Sequence, residues 1–321
     1  MNTTKRQSYI FFFLFVVLMG WLRLGPPFLV ILFSYFALEK LNFTRNKLLT
    51  VVLFLTLMAA VFYGFVFFLK QAFVALPRVI STSIPSMLEF ARQHKIELPF
   101  DDMESLKALT LDTVKNQMHG LGQFARVATK EFMFMVLGVA VAVTFFMNPK
   151  LDIEREAHRV GHNLYSAWCE ALIERFRAFY ESFAVVMGAQ ITISAINTAL
   201  TAGFVFAIGL QYPLVIIGVS FLCGLLPIVG NLLSNAVIVA IAFTVSPHMA
   251  LSALVFLVLL HKLEYFLNSK IIGDRIKTPI WLTLIGLILG ERLMGIPGMI
   301  FAPVVLYYAK GEMSRLPVSE S

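Results

Sequence analysis

The sequence predicts an all-α, polytopic membrane protein, and three observations carry that prediction. First, the 321 residues are 59% hydrophobic and only 14% charged, where a soluble domain holds about 25% charged residues. The mean hydropathy is +0.81, and a soluble chain of this length has too little interior to bury so much apolar side chain. Second, the apolar residues fall in runs long enough to cross a hydrocarbon core about 30 Å thick. Third, Lys and Arg flank those runs. The net charge of +7, from 26 Lys and Arg against 19 Asp and Glu, therefore reads as membrane orientation. It does not read as a nucleic-acid footprint, because no basic cluster with interleaved aromatics occurs. Cys169 and Cys223 stand far apart in unlike contexts and imply no disulfide framework.

Residues 1–69 are expected to form three membrane helices, over 8–22, 24–38 and 48–69. Lys5 and Arg6 ahead of the first run resemble a signal peptide, but no small-x-small cleavage site follows, so the run reads as a retained membrane helix. Arg23-Leu-Gly-Pro-Pro27 is expected to make the turn between the first two helices. The next loop holds Lys40, Arg45 and Lys47; with Lys5 and Arg6 these put the N-terminus and that loop in the cytoplasm. Residues 70–130 change character. Charged residues such as Arg78, Arg92, Asp101 and Glu104 mix there with Leu106, Leu109 and Val114 at helical spacing. This is expected to be an external insert of amphipathic helices, either a connector packed on the membrane face or a contact for a subunit or partner.

Residues 131–182 are expected to comprise a membrane helix over 131–147, ended by Asn148-Pro149, and then a cytoplasmic or interfacial amphipathic helix. Glu154, His158 and His162 fall at i, i+4 and i+8 within it. Charged helix faces produce that spacing often, and no metal site is assigned.

Residues 183–309 read as the working core. From Ser182 to Leu260 the chain carries no Asp, Glu, Lys or Arg. A helix over 183–209 opens this stretch and one over 248–268 closes it, and Pro213, Pro227 and Pro247 cut what lies between. The loop with Lys270, Arg275 and Lys277 is basic and so expected inside. That placement requires 213–246 to enter from outside and return, as a broken re-entrant hairpin. By the same logic 280–309, interrupted at Gly290-Glu-Arg-Leu-Met-Gly-Ile-Pro-Gly298, enters from the cytoplasm and returns, leaving the tail 310–321 with Lys310 and Arg315 in the cytoplasm. The total is about eight membrane segments with two inverted hairpins.

Backbone that leaves helical geometry in a bilayer exposes N–H and C=O groups at a cost of several kcal/mol each. Such breaks persist where they line a cavity or lie buried in protein, and paired inverted breaks point to a transporter's substrate site. Pro227 and Gly230 would form one tip, with Asn231 and Asn235 one helical turn apart offering amides into a polar path; a proline kink with both asparagines bonded to a neighbouring helix is the alternative. The second tip carries Glu291 and Arg292, shaped by Gly295, Pro297 and Gly298. Ionisable groups at membrane depth bind substrate, exchange a proton or pair with each other, unless this tip reaches water. Gln190, Ser194, Asn197 and Thr201 lie on one helix face at i, i+4, i+7 and i+11. They either line the path or hold helices together. Glu264, beside His261 and Lys262, is with Glu291 a candidate for ion coupling, or else a snorkelling anchor.

Two stretches carry a family resemblance. PLVIIGVSFLCGLLPIVGNLLSN, with Pro227 and Gly230 as its Pro-x-x-Gly, and KIIGDRIKTPIWLTLIGLILGERLMGIPGMIFAPVVLYY, with Gly290, Gly295, Gly298 and Pro303 in its glycine-rich ending, resemble the AI-2E family of transporters. The charged pair in GERLMGIPG departs from the family's usual glycine-rich turn. The resemblance implies a multi-pass protein of the bacterial inner membrane, assembled as a homo-oligomer, a pentamer in related proteins. It implies export of a small polar molecule, autoinducer-2 or a related metabolite, by alternating access, or else Na+(or other cation)/H+ antiport. The implied partners are the lipid bilayer, further copies of the chain, the substrate and H+ or Na+. No cofactor is expected. An intramembrane enzyme and a structural membrane oligomer are the competing classes. No HExxH, GxSxG or P-loop occurs and no catalytic residue is assigned.

Overall fold

The computed structural model describes residues 3–43, 46–94, 121–148, 164–227, 229–272 and 279–315, and among them every regular element is an α-helix. In chain order these are α1 (Thr3–Trp21), α2 (Gly25–Leu41), α3 (Lys47–Gln93), α4 (Leu121–Met147), α5 (Leu164–Ile208), α6 (Pro213–Gly224), α7 (Val229–Val245), α8 (Pro247–Ile272), α9 (Ile280–Met294) and α10 (Ile296–Ser314). The all-α membrane class is borne out. The chain divides into two compact units: residues 1–58, 128–188 and 275–321 form the first, and residues 59–127 and 189–274 the second. The first hairpin thus belongs to the second unit and the second hairpin to the first. Residues 95–120 of the insert expected over 70–130, the Glu154/His158/His162 triplet, and Arg275 and Lys277 lie outside the described residues.

In the first unit, α1 and α2 meet at a bend of 118°. The corner is made by Arg23, at φ 55°. Pro26 and Pro27, expected to form the turn, instead open α2, where a missing N–H is harmless and the fixed φ suits a helix start. Asn46 caps α3: its Oδ1 accepts from the N–H groups of Leu48 and Leu49 at 3.1 and 3.3 Å. The core is aromatic: Phe12, Phe179, Phe183, Phe301 and Tyr308 pack with Leu29 and Leu32. Phe28 stacks on Phe179 with centroids 6.0 Å apart. Between helices in lipid such fitted contact replaces the hydrophobic effect as the cohesive term.

The second unit packs Val205, Ile216, Ile238, Ile241 and Leu257 together with Val79 of α3. Phe204 and Phe256 stack with centroids 4.1 Å apart. Gly209, at φ 66°, ends α5, and its left-handed backbone suits a residue without Cβ. Ser246 caps α8: its Oγ accepts from the Met249 N–H at 3.2 Å, and Pro247 takes the first helical position.

Three helices overrun the boundaries expected from hydropathy, α4 by beginning at Leu121 rather than at the expected 131. α3 continues for 47 residues through Pro77 and Pro85, and the hydroxyls of Thr82 and Ser86 bond carbonyls one turn back at 2.7 and 3.1 Å. α5 runs unbroken for 45 residues, so the amphipathic stretch after 164 and the membrane helix expected from 183 are one continuous helix.

Four helices among the described residues are long and apolar enough to cross a membrane alone: Lys47–Ala75, Thr129–Met147, Tyr165–Ile208 and Pro247–Leu267. The bent α1–α2 pair makes a fifth if counted as one span. This is fewer than the eight expected segments, and the shortfall has a geometric cause. α6 has 12 residues, about 18 Å of helix, and α9 has 15, about 23 Å; neither alone matches a core of about 30 Å. Only 6% of the most apolar stretch of Lys47–Ala75 is buried, and that much exposed apolar surface belongs against lipid.

Candidate functional site

The second unit builds a polar site around the break between α6 and α7. α6 ends at Gly224, and the N–H groups of Leu225 and Leu226 turn back to Leu222 O and Cys223 O at 3.3 and 2.8 Å. Pro227 lies in the break. Gly230, in the first turn of α7, sits so close to α6 that a Cβ there would stand 1.7 Å from Cys223 O. Only a hydrogen permits that approach, so the hairpin needs glycine at this position.

The last carbonyls of a helix have no partner within it. Here α5 supplies them. Gln190 Nε2 donates to Gly224 O at 2.6 Å and Ser194 Oγ to Phe221 O at 2.8 Å. These two members of the polar stripe therefore hold the broken hairpin onto α5. The other two, Asn197 and Thr201, are 8% and 1% exposed and line a cleft with Ser220 of α6, Asn231, Ser234 and Asn235 of α7, and His261 and Glu264 of α8.

Glu264 is the acidic group of that cleft. Its side chain is 14% exposed. Asn231 Nδ2 donates to both its oxygens, at 2.8 and 2.9 Å, a charge-assisted pair. His261 Nδ1 stands 3.8 Å from Glu264 Oε2 with its own side chain 68% exposed. Asn197 Oδ1 and Ser220 Oγ are buried and without hydrogen-bond partners among the described residues, which in low dielectric is costly. The cavity among these groups is about 20 Å³, enough for one water-sized guest.

The structure thus brings together Asn197, Thr201, Asn231, Asn235 and Glu264, with Gln190, Ser194, Pro227 and Gly230 shaping the hairpin beside them. Glu291, Arg292, Gly295, Pro297 and Gly298 belong to the first unit. There α9 and α10 close around Gly295, at φ 66°, and a Cβ on Gly298 would stand 1.8 Å from Gly290 O. Glu291 and Arg292 are exposed at the last turn of α9.

Sequence reasoning missed Ser220 and Ser234. The signal for Ser234 was present: Asn231, Ser234 and Asn235 are i, i+3 and i+4, one helix face. Ser220 stands alone in an apolar helix and gave none. Also missed was a buried cluster in the first unit. Arg175 Nη1 donates to Glu312 Oε2 and, at 2.6 Å, to Tyr9 Oη; Tyr9 Oη donates to Glu312 Oε2 at 2.6 Å. The Arg175 guanidinium also lies 4.5 Å from the centroid of the Tyr9 ring. Residues 310–321, expected as a cytoplasmic tail, begin as the end of α10, and Glu312 is 6% exposed because Arg175 and Tyr9 hold it.

Comparison with known proteins bears on both units. The family described as AI-2E family transporter matches residues 10–316. The "Putative transport protein YdbI" of Bacillus subtilis (strain 168) is 30% identical over 135 residues, which is 40% of this chain and 38% of that protein's length.

Proposed function

The chain belongs to the AI-2E transporter family, and we propose that it works as a secondary transporter whose translocation site is the cleft around Glu264 and Asn231. The observation that carries this reading is the bond from Asn231, the first polar residue after the broken turn of the hairpin, to Glu264, the acidic group of that cleft. A break at membrane depth that presents an amide to a carboxylate is what a carrier needs, because it couples a solute or ion to the backbone segment that must move. Alternating access then consists of opening the cleft to one side and then to the other.

The solute in this reading is a small polar molecule exported from the cell, with autoinducer-2 as the first candidate. A path lined by Asn197, Thr201, Ser220 and Asn235 offers neutral hydrogen bonds suited to a hydroxylated solute. Cation/H+ antiport is the second reading, and the cavity of about 20 Å³ favours it, since in this state the cleft admits an ion or a water and must widen for anything larger. The same proposal has the protein multi-pass in a bacterial inner membrane with both termini cytoplasmic, as Lys5, Arg6, Lys310 and Arg315 favour. It also has the protein working as a homo-oligomer.

The test is uptake and efflux of labelled autoinducer-2 in proteoliposomes under imposed proton or sodium gradients, comparing the wild type with Asn231→Leu. Gradient-dependent flux lost in the variant supports the exporter. Collapse of the ion gradients by the wild type, with no flux of the signal, supports the antiporter. Absence of both overturns the transport reading.

A further inference from the structure

We propose that the double corner at which α1 turns into α2 and α9 into α10 is a binding surface for an anionic phospholipid, with Arg23 and Arg292 holding its phosphodiester.

Both corners belong to the first unit and lie against each other. A Cβ on Gly25 would stand 2.9 Å from Pro297 Cβ and 3.3 Å from Met294 Cβ, and Arg23 and Arg292 each lie two residues from that contact. Arg23 occupies a place that usually goes to glycine. At the end of α1 the Leu24 N–H bonds Met19 O at 2.9 Å and the Arg23 N–H bonds Gly20 O at 3.0 Å. This pattern asks for left-handed backbone at the residue that Arg23 supplies, and Arg23 adopts it at φ 55° despite its Cβ. Backbone strain kept at such a place points to a use for the side chain. Arg23 and Arg292 are both exposed, and among the described residues neither guanidinium has an ion pair or a hydrogen bond.

The depth of the corner fits a headgroup. Arg6, Lys40 and Lys310 stand toward the far ends of α1, α2 and α10. The rise from Arg6 to Arg23 is about 26 Å of helix, close to a hydrocarbon core of about 30 Å. In the orientation proposed above the corner reaches the outer face, where Lys and Arg are scarce. Two arginines there call for a role other than setting topology. Beside them Trp21, 82% exposed, and the exposed Leu22, Leu293 and Ile296 present apolar surface. An aromatic ring next to basic groups suits the boundary between acyl chains and headgroups.

Charge selects the lipid. Guanidinium groups bind phosphate oxygens in paired hydrogen bonds. Glu291 is the carboxylate of this corner and, as the neighbour of Arg292, points about 100° away round α9. Two positive charges against one negative leave +1, which one phosphodiester neutralises. A zwitterionic lipid adds an ammonium that the arginines repel. The charged pair that departs from the family's usual glycine-rich turn thereby gains a partner.

Trp21 is the reporter. The full-length protein with Trp168→Phe and Trp281→Phe is reconstituted in phosphatidylcholine vesicles, and its fluorescence is quenched with brominated phosphatidylglycerol or brominated phosphatidylcholine. The anionic lipid is expected to quench Trp21 at several-fold lower mole fraction. Arg23→Gly and Arg292→Gln are each expected to reduce that preference about fivefold, the weight of one basic side chain at an anionic surface. Glu291→Gln is expected to raise it. Arg23→Gly is also expected to keep or raise the unfolding temperature, because glycine suits φ 55°, which a merely structural arginine would not allow. If Arg23→Gly does not fold, Arg292→Gln and Glu291→Gln carry the test. A second protein that keeps Trp281 alone, at the start of α9, is expected to show no change with any of these substitutions.

Equal quenching of Trp21 by the two lipids overturns the inference, as does a preference indifferent to Arg23→Gly and Arg292→Gln. So does a Trp21 that neither lipid quenches, as when another copy of the chain covers the corner. Loss of the preference on adding inorganic phosphate assigns the arginines to free phosphate and overturns the lipid site. Solute flux plays no part in these readouts, so the lipid site and the transport reading stand or fall separately.

Discussion

Asn231 and Glu264 face each other across the cleft of the second unit, and the amide Nδ2 of the first reaches both carboxylate oxygens of the second, at 2.8 and 2.9 Å. The donor sits in the first turn of α7, directly after the break. The acceptor sits on α8, within the candidate span Pro247–Leu267. A displacement of the hairpin tip therefore changes the environment of a carboxylate, and a change of charge at the carboxylate pulls on the tip. That reciprocity is the physical basis of coupling.

Replacing Asn231 by Leu removes both donors while keeping the volume close. A hydrogen bond to a charged group contributes about 1.5–3 kcal/mol. The variant is expected to fold and to lose roughly 10–100-fold in gradient-driven flux, measured in proteoliposomes at matched protein content.

Gly230→Ala is expected to prevent the hairpin from closing, because the added Cβ would stand 1.7 Å from Cys223 O. The backbone on either side has no flexible end to move away. Gly203→Ala in α5 is the matched control, with nothing within 4 Å of its added Cβ; there alanine is expected to stabilise the helix by about 0.5–1 kcal/mol. Chromatography of detergent extracts and unfolding temperatures of the two variants check the contrast.

Breaking the buried pair in the first unit is expected to be costly. The side chains of Arg175 and Glu312 are 5% and 8% exposed; because Arg175 keeps Glu174 at 2.9 Å and Glu312 keeps Arg315 at 3.4 Å, removal of one partner is expected to cost less than the about 3–5 kcal/mol of a buried charge left wholly unpaired. Arg175→Met and Glu312→Gln are each expected to lower the unfolding temperature strongly. The double variant is expected to lose less than the sum of the two, since neither charge is then left unpaired. A double-mutant cycle on thermal stability measures the difference.

Gln190→Leu removes the donor to Gly224 O. The expected loss is about 1 kcal/mol, spent locally at the break. Hydrogen exchange is expected to speed up at the amides of Leu225 and Leu226, with the amides inside α8 unchanged.

Much of this was legible from residue order. The helical class followed from hydropathy, and both hairpin breaks followed from Pro227, Gly230, Gly295 and Pro297, whose backbone demands are local. The polar stripe on α5 was visible as a face. Its division of labour was not, because which of Gln190, Ser194, Asn197 and Thr201 bonds a carbonyl and which lines the cleft depends on where α6 ends in space. The pairing of Asn231 with Glu264, 33 residues apart, and of Arg175 with Glu312, 137 residues apart, is long-range and leaves no trace in periodicity. The extents of α3 and α5 were missed for another reason. Hydropathy marks where a helix leaves the apolar layer, and neither Pro77 nor the charged run at 170–177 stops the backbone from continuing.

The most direct measurement is gradient-coupled transport by Glu264→Gln and Glu291→Gln, side by side in proteoliposomes. The two carboxylates were equal candidates in the sequence, and they stand in different units of the fold. The account predicts that Glu264→Gln abolishes coupled flux while Glu291→Gln, whose side chain is exposed at the end of α9, retains it. Coupled flux preserved in Glu264→Gln and lost in Glu291→Gln would contradict it and move the site to the second hairpin.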